Sequence, residues 1–198
     1  MADMAEAFTA AFGSPDPQTE PALTFESPFD RAMWSRNAPR VGAGYFRDRF
    51  LYLFGPGLED FRPCLEAWSF LVPKNPDRMI VGRNAYGAIA YLDHPNGDHP
   101  RVTIVDPITV SLITDTGMDL WRFIGRYLPE GILTSFLDDR IYREWLSDHH
   151  LFLDPALALT IKTPTSLGGK MTLENFSVED LITYYQTTGE IYRAHRSR

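Results

Sequence analysis

The chain has 198 residues, 44% of them hydrophobic and 13% aromatic, enough for one ample domain or two small ones sharing a surface. Twenty-six acidic residues against 19 basic ones give a formal net charge of −7, which argues against direct nucleic-acid binding because phosphate neutralisation supplies most of that affinity. No apolar run approaches the roughly 20 residues of a membrane-spanning helix, residues 1–12 lack the basic start of a secretory signal, and the single Cys64 excludes a disulfide framework or a multi-thiolate metal site. A cytoplasmic protein is expected.

Residues 2–12 read as a helix closed by Gly13, followed by a proline-rich loop, Ser14 to Pro21. Ser27 and Pro28 open a short helix, as a hydroxyl cap and a proline in the first turn, expected to end by Asn37, before Pro39. Tyr45 to Phe54 reads as one aromatic strand between Gly44 and Gly55. Helical spacing returns from Leu58 to Phe70, with Pro63 placing the continuous part from about Arg62. The segment 73–77 (PKNPD) is the most plausible boundary in the chain, dividing residues 1–75 from 76–198, two parts expected to pack as one unit.

Beyond it lie four strand candidates, Arg78–Gly82, Gly87–Leu92, Arg101–Val105 and Ile108–Ile113. Tight turns at 83–86 and 95–100, the latter with an Asn96–Gly97 step, separate the first three. Strands in direct succession without intervening helices predict an antiparallel meander. Helices follow: one capped by Asp115 or Thr116, and one over Gly131 to Ser147 with an apolar stripe including Phe136 and Trp145. An extended piece at 151–160 and a loop at 162–170 precede a last helix opening at Ser177, with Asp180 completing a capping box. The fold class is α+β, an antiparallel meander packed with several α-helices.

Motifs for chemistry are sparse. There is no phosphate loop, nucleophile elbow or dinucleotide fingerprint, and Gly168–Gly169–Lys170 reads as a flexible turn. Asp93, His94, Asp98 and His99 share one predicted turn and contain zinc-type donors, but the Pro and Asn–Gly chemistry explains that turn without a metal. His149 and His150 are adjacent and suit a helix terminus. Cys64 lies within a helical stripe and reads as a buried, inert thiol. Adjacent carboxylates such as Asp138–Asp139 diverge by about 100° on a helix and do not form a facing acid–base pair. Neither catalysis nor a cofactor is expected.

Two stretches carry a family resemblance. Residues 42–68, through Gly42, Gly44, Tyr45, Phe54, Leu65 and Trp68, resemble the end of a GAD-like domain that is truncated at its amino end. Residues 78–93, with the Gly82–Arg83 and Tyr86–Gly87 steps, then Val105–Asp106–Pro107, 152–159, 167–169 and Glu174–Asn175–Phe176, are similar in order to the C-terminal domain of type VI secretion immunity proteins. Two features depart from the pattern: the truncation, and the longer link through Thr160–Ser166. The resemblance implies a non-catalytic protein that docks on a cognate toxin effector, a DNase, and occludes its active or DNA-binding site. Acidic groups would then act as phosphate mimics in a basic groove, the candidates being Asp93, Asp98, Asp115, Asp119, Asp138 and Asp139. The alternative is a non-catalytic regulatory or scaffolding module that binds another protein or a small ligand.

Overall fold

The structure is a computed structural model and describes residues 3–94 and 100–196. Its centre is a seven-stranded antiparallel sheet in strict chain order: β1 (Gln18–Thr19), β2 (Ala43–Phe46), β3 (Leu51–Leu53), β4 (Met79–Asn84), β5 (Ile89–Asp93), β6 (Arg101–Asp106) and β7 (Ser111–Asp119). The α+β meander expected from the sequence is therefore present. It extends further than the four predicted strands, because β3 pairs with β4 through Leu51↔Asn84 and Leu53↔Gly82. The two parts on either side of 73–77 thus share one continuous sheet.

Alternate residues point to opposite faces of a strand, and both faces here are buried. Leu51, Leu53, Val81, Ala90, Leu92, Val102 and Ile104 face one core, while Tyr52, Ile80, Ile89, Tyr91 and Val105 face the other. The first core is covered by α1 (Met4–Phe12), α2 (Pro28–Val41), α4 (Leu120–Arg122) with its continuation Phe123–Tyr127, α5 (Thr134–Leu137) and α6 (Arg140–His149). The second is covered by α3 (Arg62–Ala67), which follows a 3₁₀ turn at Leu58–Phe61, and by α7 (Leu181–Arg196). A separate hairpin, β8 (Leu157–Ile161) with β9 (Phe176–Asp180), joins the sheet where the Leu159 amide donates to the Ala85 carbonyl at 2.8 Å.

The amino-terminal expectations hold closely. Asp3 caps α1 by accepting from the Ala5 amide at 3.0 Å, and Gly13 closes it. Ser27 caps α2 ahead of Pro28, as expected. Five features differ. First, α2 continues through Pro39 to Val41, because Ala38 and Val41 are buried in the first core and their burial offsets one missing backbone donor. Second, the single strand expected over 45–54 is a hairpin, β2 and β3, reversed at residues 47–50. Third, Asp115 lies within β7 rather than capping a helix; Asp119 is the cap, accepting from the Arg122 amide at 2.8 Å. Fourth, Ser177 lies in β9, and Asp180 caps α7 by accepting from the Thr183 amide at 2.8 Å. The helix expected over 131–147 is also split into α5 and α6 at Asp138–Asp139. Phe136 and Trp145 are core residues, as their stripe implies.

Helix α7 lies so close to α3 that a Cβ on Gly189 would fall 2.5 Å from the Ala67 carbonyl oxygen. Beside this contact the Trp68 indole is fully buried and donates to Thr188 Oγ1 at 3.0 Å. Helix propensity alone would make Gly189→Ala stabilising by about 1 kcal/mol. The close approach reverses the sign: chemical denaturation should show a net loss of about 1–3 kcal/mol. A stabilised variant would contradict this packing.

Candidate functional site

Residues 47–50 reverse the chain between β2 and β3 without a glycine, proline or asparagine. Arg47, Asp48 and Arg49 are all left-handed, with φ of 53°, 53° and 65°. Side chains at such angles cost roughly 1–2 kcal/mol each, so the surroundings must hold the turn in place. The Phe50 amide closes it by donating to the Arg47 carbonyl at 2.9 Å. The Tyr142 hydroxyl, from α6, donates to the Asp48 carbonyl at 2.8 Å. Arg47 donates to the Leu137 carbonyl at 3.1 Å and lies over the Phe12 ring.

The turn fixes Arg49 between two aromatic rings, 4.5 Å from the Phe152 centroid and 5.6 Å from that of Tyr45. Phe152 and its neighbour Leu151 are 43% and 58% exposed, so an apolar rim surrounds a held guanidinium. Beneath it, Arg49 lines a small pocket with Tyr45, Tyr52, Arg83 and Asn84. Arg83 comes from β4 opposite Tyr52 and is only 5% exposed. Its Nη2 donates to the Pro155 carbonyl and its Nη1 to the Leu157 carbonyl, while the guanidinium stacks 4.7 Å from the centre of the Phe61 ring. Burial lowers its pKa, and the groups opposing that shift are the phenols of Tyr45 and Tyr52 and the Cys64 thiol.

The aspartates singled out in the sequence are distributed over the fold. Asp93 ends β5 and accepts from Arg78 Nη2 at 2.6 Å, Arg78 Nε at 2.9 Å and Asn75 Nδ2 at 3.2 Å. Asp115 accepts from the Tyr127 hydroxyl at 2.8 Å. Asp119 caps α4, as described above. Asp138 accepts from the Arg140 amide at 3.1 Å, and Asp139 pairs with Arg143 at 2.8 Å. Asp98 lies outside the described residues, as does His99. The register Asp93↔Arg101↔Asp119 brings two of the aspartates to one end of the sheet, with a cation between them. Asp138 and Asp139 belong to the opposite end, where the neighbouring Phe136 and Leu137 carbonyls accept from Asn84 and Arg47. The six therefore do not form a single face.

Among the described residues no group of three or more His, Cys, Asp or Glu side chains is arranged to hold a metal, and none of the helices is long and apolar enough to cross a membrane. His149 stacks on Trp145 at the end of α6, with left-handed His150 as its cap. A second concavity of about 780 Å³ lies between α3, the 69–78 loop and the end of α7, lined by Arg62, Glu66, Lys74, Arg78 and Arg193 among others. Its arginines are already engaged: Arg62 with Glu59, Arg78 with Asp93, and Arg193 with the Ala67 carbonyl. The Arg47–Arg49 turn and the buried Arg83 were not selected as site residues from the sequence. The Gly82–Arg83 step was visible there, but a lone Asp48 between two arginines is a weak signal for a turn with three successive left-handed residues.

No family model matches the chain, and no curated protein matches it. Among solved structures, the chain is similar to one described as the crystal structure of Atu4351 from Agrobacterium tumefaciens, at 16% identity and a TM-score of 0.56, covering 93% of this chain and 87% of that one. The likeness is one of fold.

Burial pushes the Cys64 thiol up to about 12. The reactive thiolate is thus suppressed through the neutral range and forms only as the pH rises toward that value. At pH 8, a disulfide-exchange reagent should modify the native protein roughly a thousandfold more slowly than the denatured chain, whose thiol has an ordinary pKa. Rapid native labelling would mean that Cys64 is activated and open to solvent.

Proposed function

We propose that this protein is a non-catalytic immunity protein that binds a cognate type VI secretion toxin, a DNase, and blocks its active or DNA-binding site. The observation that carries the reading is the surface at the β2–β3 turn, where Arg49 is held between Tyr45 and Phe152 beside exposed Leu151. Arginine and aromatic anchors ringed by apolar contacts are the usual energetic centres of protein–protein interfaces. The order of the short motifs over residues 42–198 supplies the family reading. The net charge of −7 suits attraction to an enzyme whose own groove must be basic to hold DNA. Inhibition would follow from occupancy alone, with no bond made or broken. The proposed setting is the cytoplasm of the producing cell.

The local bonds of the aspartates refine the phosphate-mimic part of the proposal. Asp93 neutralises a buried arginine, so its charge is largely committed within the fold. Asp115 and Asp119, with Asp138 and Asp139 at the other end of the sheet, contribute chiefly to the long-range field that steers association. A regulatory module that binds a small ligand is the second reading, favoured by the 780 Å³ cleft, which is within the usual size range for ligand pockets.

Co-expression with a secreted nuclease encoded by an adjacent gene tests the proposal. Growth should be restored and a stable complex should co-purify. Replacing Arg49 and Phe152 together by Ala should weaken that complex by about 10–100-fold while the circular dichroism spectrum stays native. Charge reversal at Asp115 and Asp119 should slow association and flatten its salt dependence. Absence of rescue, or an affinity indifferent to Arg49 and Phe152, would overturn the proposal.

A further inference from the structure

The cleft between α3, the 69–78 loop and α7 runs against the net charge of −7 that the whole chain carries. Among the described residues, four cations line it, Arg62, Lys74, Arg78 and Arg193, and Glu66 is the one carboxylate. Two of the cations carry carboxylates from outside the wall, Glu59 on Arg62 and Asp93 on Arg78. With all three carboxylates counted, one positive charge is left over. The Lys74 ammonium has no hydrogen-bond or ion-pair partner among the described residues. Arg78 is only 6% exposed, lies 4.3 Å from the centre of the Tyr91 ring, and spends Nε and Nη2 on Asp93 Oδ1. Its Nη1 makes no hydrogen bond, and unlike the Arg83 Nε it is not sealed from solvent. Arg78 lines the cleft, so Nη1 is the part of its guanidinium left for a ligand. The loop that presents both cations is pinned: Asn75 donates to Asp93 at 3.2 Å and accepts from the Asp77 amide at 3.0 Å, and Arg62 donates to the Arg78 carbonyl at 2.6 Å. Buried Leu65 and Val72, with Pro73, give the same cleft an apolar wall.

From this arrangement we infer that the α3–α7 cleft binds a small organic carboxylate, with its head group on Arg78 Nη1 and Lys74 and an apolar body along Leu65, Val72 and Pro73. A volume of about 780 Å³ accommodates a molecule of that kind whole. Charge-assisted hydrogen bonds to a carboxylate are about twice as strong as neutral ones. An uncharged ligand would leave the ammonium and Nη1 without an anion. One residual positive charge suits a monoanion, whereas the second charge of a phosphate monoester would meet no partner and would be opposed by Glu66. The inference deepens the small-ligand reading of this cleft, rests on that reading, and is independent of the surface at Arg49.

Sodium octanoate, octanamide, octyl phosphate and sodium acetate serve as probes, titrated into the full chain at pH 8 and constant ionic strength. Backbone nitrogen–proton NMR shifts report where each binds, and calorimetry reports how tightly. Octanoate should bind saturably, with a Kd below about 1 mM, and should shift residues 62–78 and 189–193. Octanamide and octyl phosphate should bind at least about tenfold more weakly, and acetate, which lacks the apolar body, should not saturate in that range. Lys74→Glu should weaken octanoate binding by about tenfold or more and leave octanamide binding unchanged. Arg78→Lys, which keeps a cation for Asp93 but gives up Nη1, should do the same; should it fail to fold, Lys74→Glu still decides the matter. Equal affinity for octanoate and octanamide would overturn the inference while leaving the cleft a site for neutral ligands. Tighter binding of octyl phosphate, or octanoate shifts confined to the exposed Leu151–Phe152 rim, would also overturn it. Failure of all four probes to bind would overturn both the inference and the small-ligand reading beneath it. Octanoate binding without toxin protection would support this inference and sink only the immunity reading.

Discussion

Three parts of the molecule meet at the guanidinium of Arg83. It stands on β4, in the middle of the meander, stacks on Phe61 ahead of α3, and holds the Pro155 and Leu157 carbonyls at the start of the β8–β9 hairpin. Burying a positive charge without an anion is among the less favourable arrangements open to a folded chain. Its persistence implies that the surrounding packing over-determines it. Both sheet faces are covered by helices, and the large aromatic side chains of Trp68, Tyr86, Tyr142 and Tyr185 are essentially excluded from solvent. These contacts fix the backbone that presents the two carbonyls, so the arginine is clamped by structure it helps to connect.

The β2–β3 turn poses the same kind of problem nearer the surface. Three successive left-handed residues are held by Tyr142 from α6 and by the Leu137 carbonyl at the end of α5. Helices from a distant part of the chain therefore determine the angle at which Arg49 leaves the sheet. Strain concentrated where an arginine and two aromatic rings reach the surface is better suited to a preorganised binding feature than to a loop of no consequence. Preorganisation lowers the entropic cost of association, because the anchor is ordered before the partner arrives. The proposed immunity role would need tight, rapid capture, and a rigid anchor combined with a long-range negative field would meet both requirements.

Much of the fold was legible in the residues. The meander could be read because turn chemistry punctuated short alternating strands, and the two amino-terminal helices because Gly13 and Ser27–Pro28 mark their limits. Asn84 shows how local the signal can be: its Oδ1 accepts from the amides of Tyr86 and Ala88 and shapes the turn that the sequence placed between two strands. Local rules fail where tertiary contacts override them. YFRDRFLYLF reads as an unbroken strand because a lone Asp between two arginines is a weak turn signal, whereas Tyr142 and Leu137, far along the chain, hold the reversal. Ser177 resembles a cap, yet pairing of β9 with β8 claims it first. The candidate site was less legible still. Acidic residues drew attention because net charge is a property of the sequence, whereas a buried arginine without a counterion is a property of packing.

In the proposed role, this protein acts by presenting the preorganised Arg49–Arg83 end of its sheet to another protein. Hydrogen exchange compared between the free chain and its co-purified toxin complex tests it most directly. New protection is expected at residues 45–50 and 151–157 on complex formation. Protection confined to the cleft between α3 and α7, with the turn exchanging as freely as before, would contradict it.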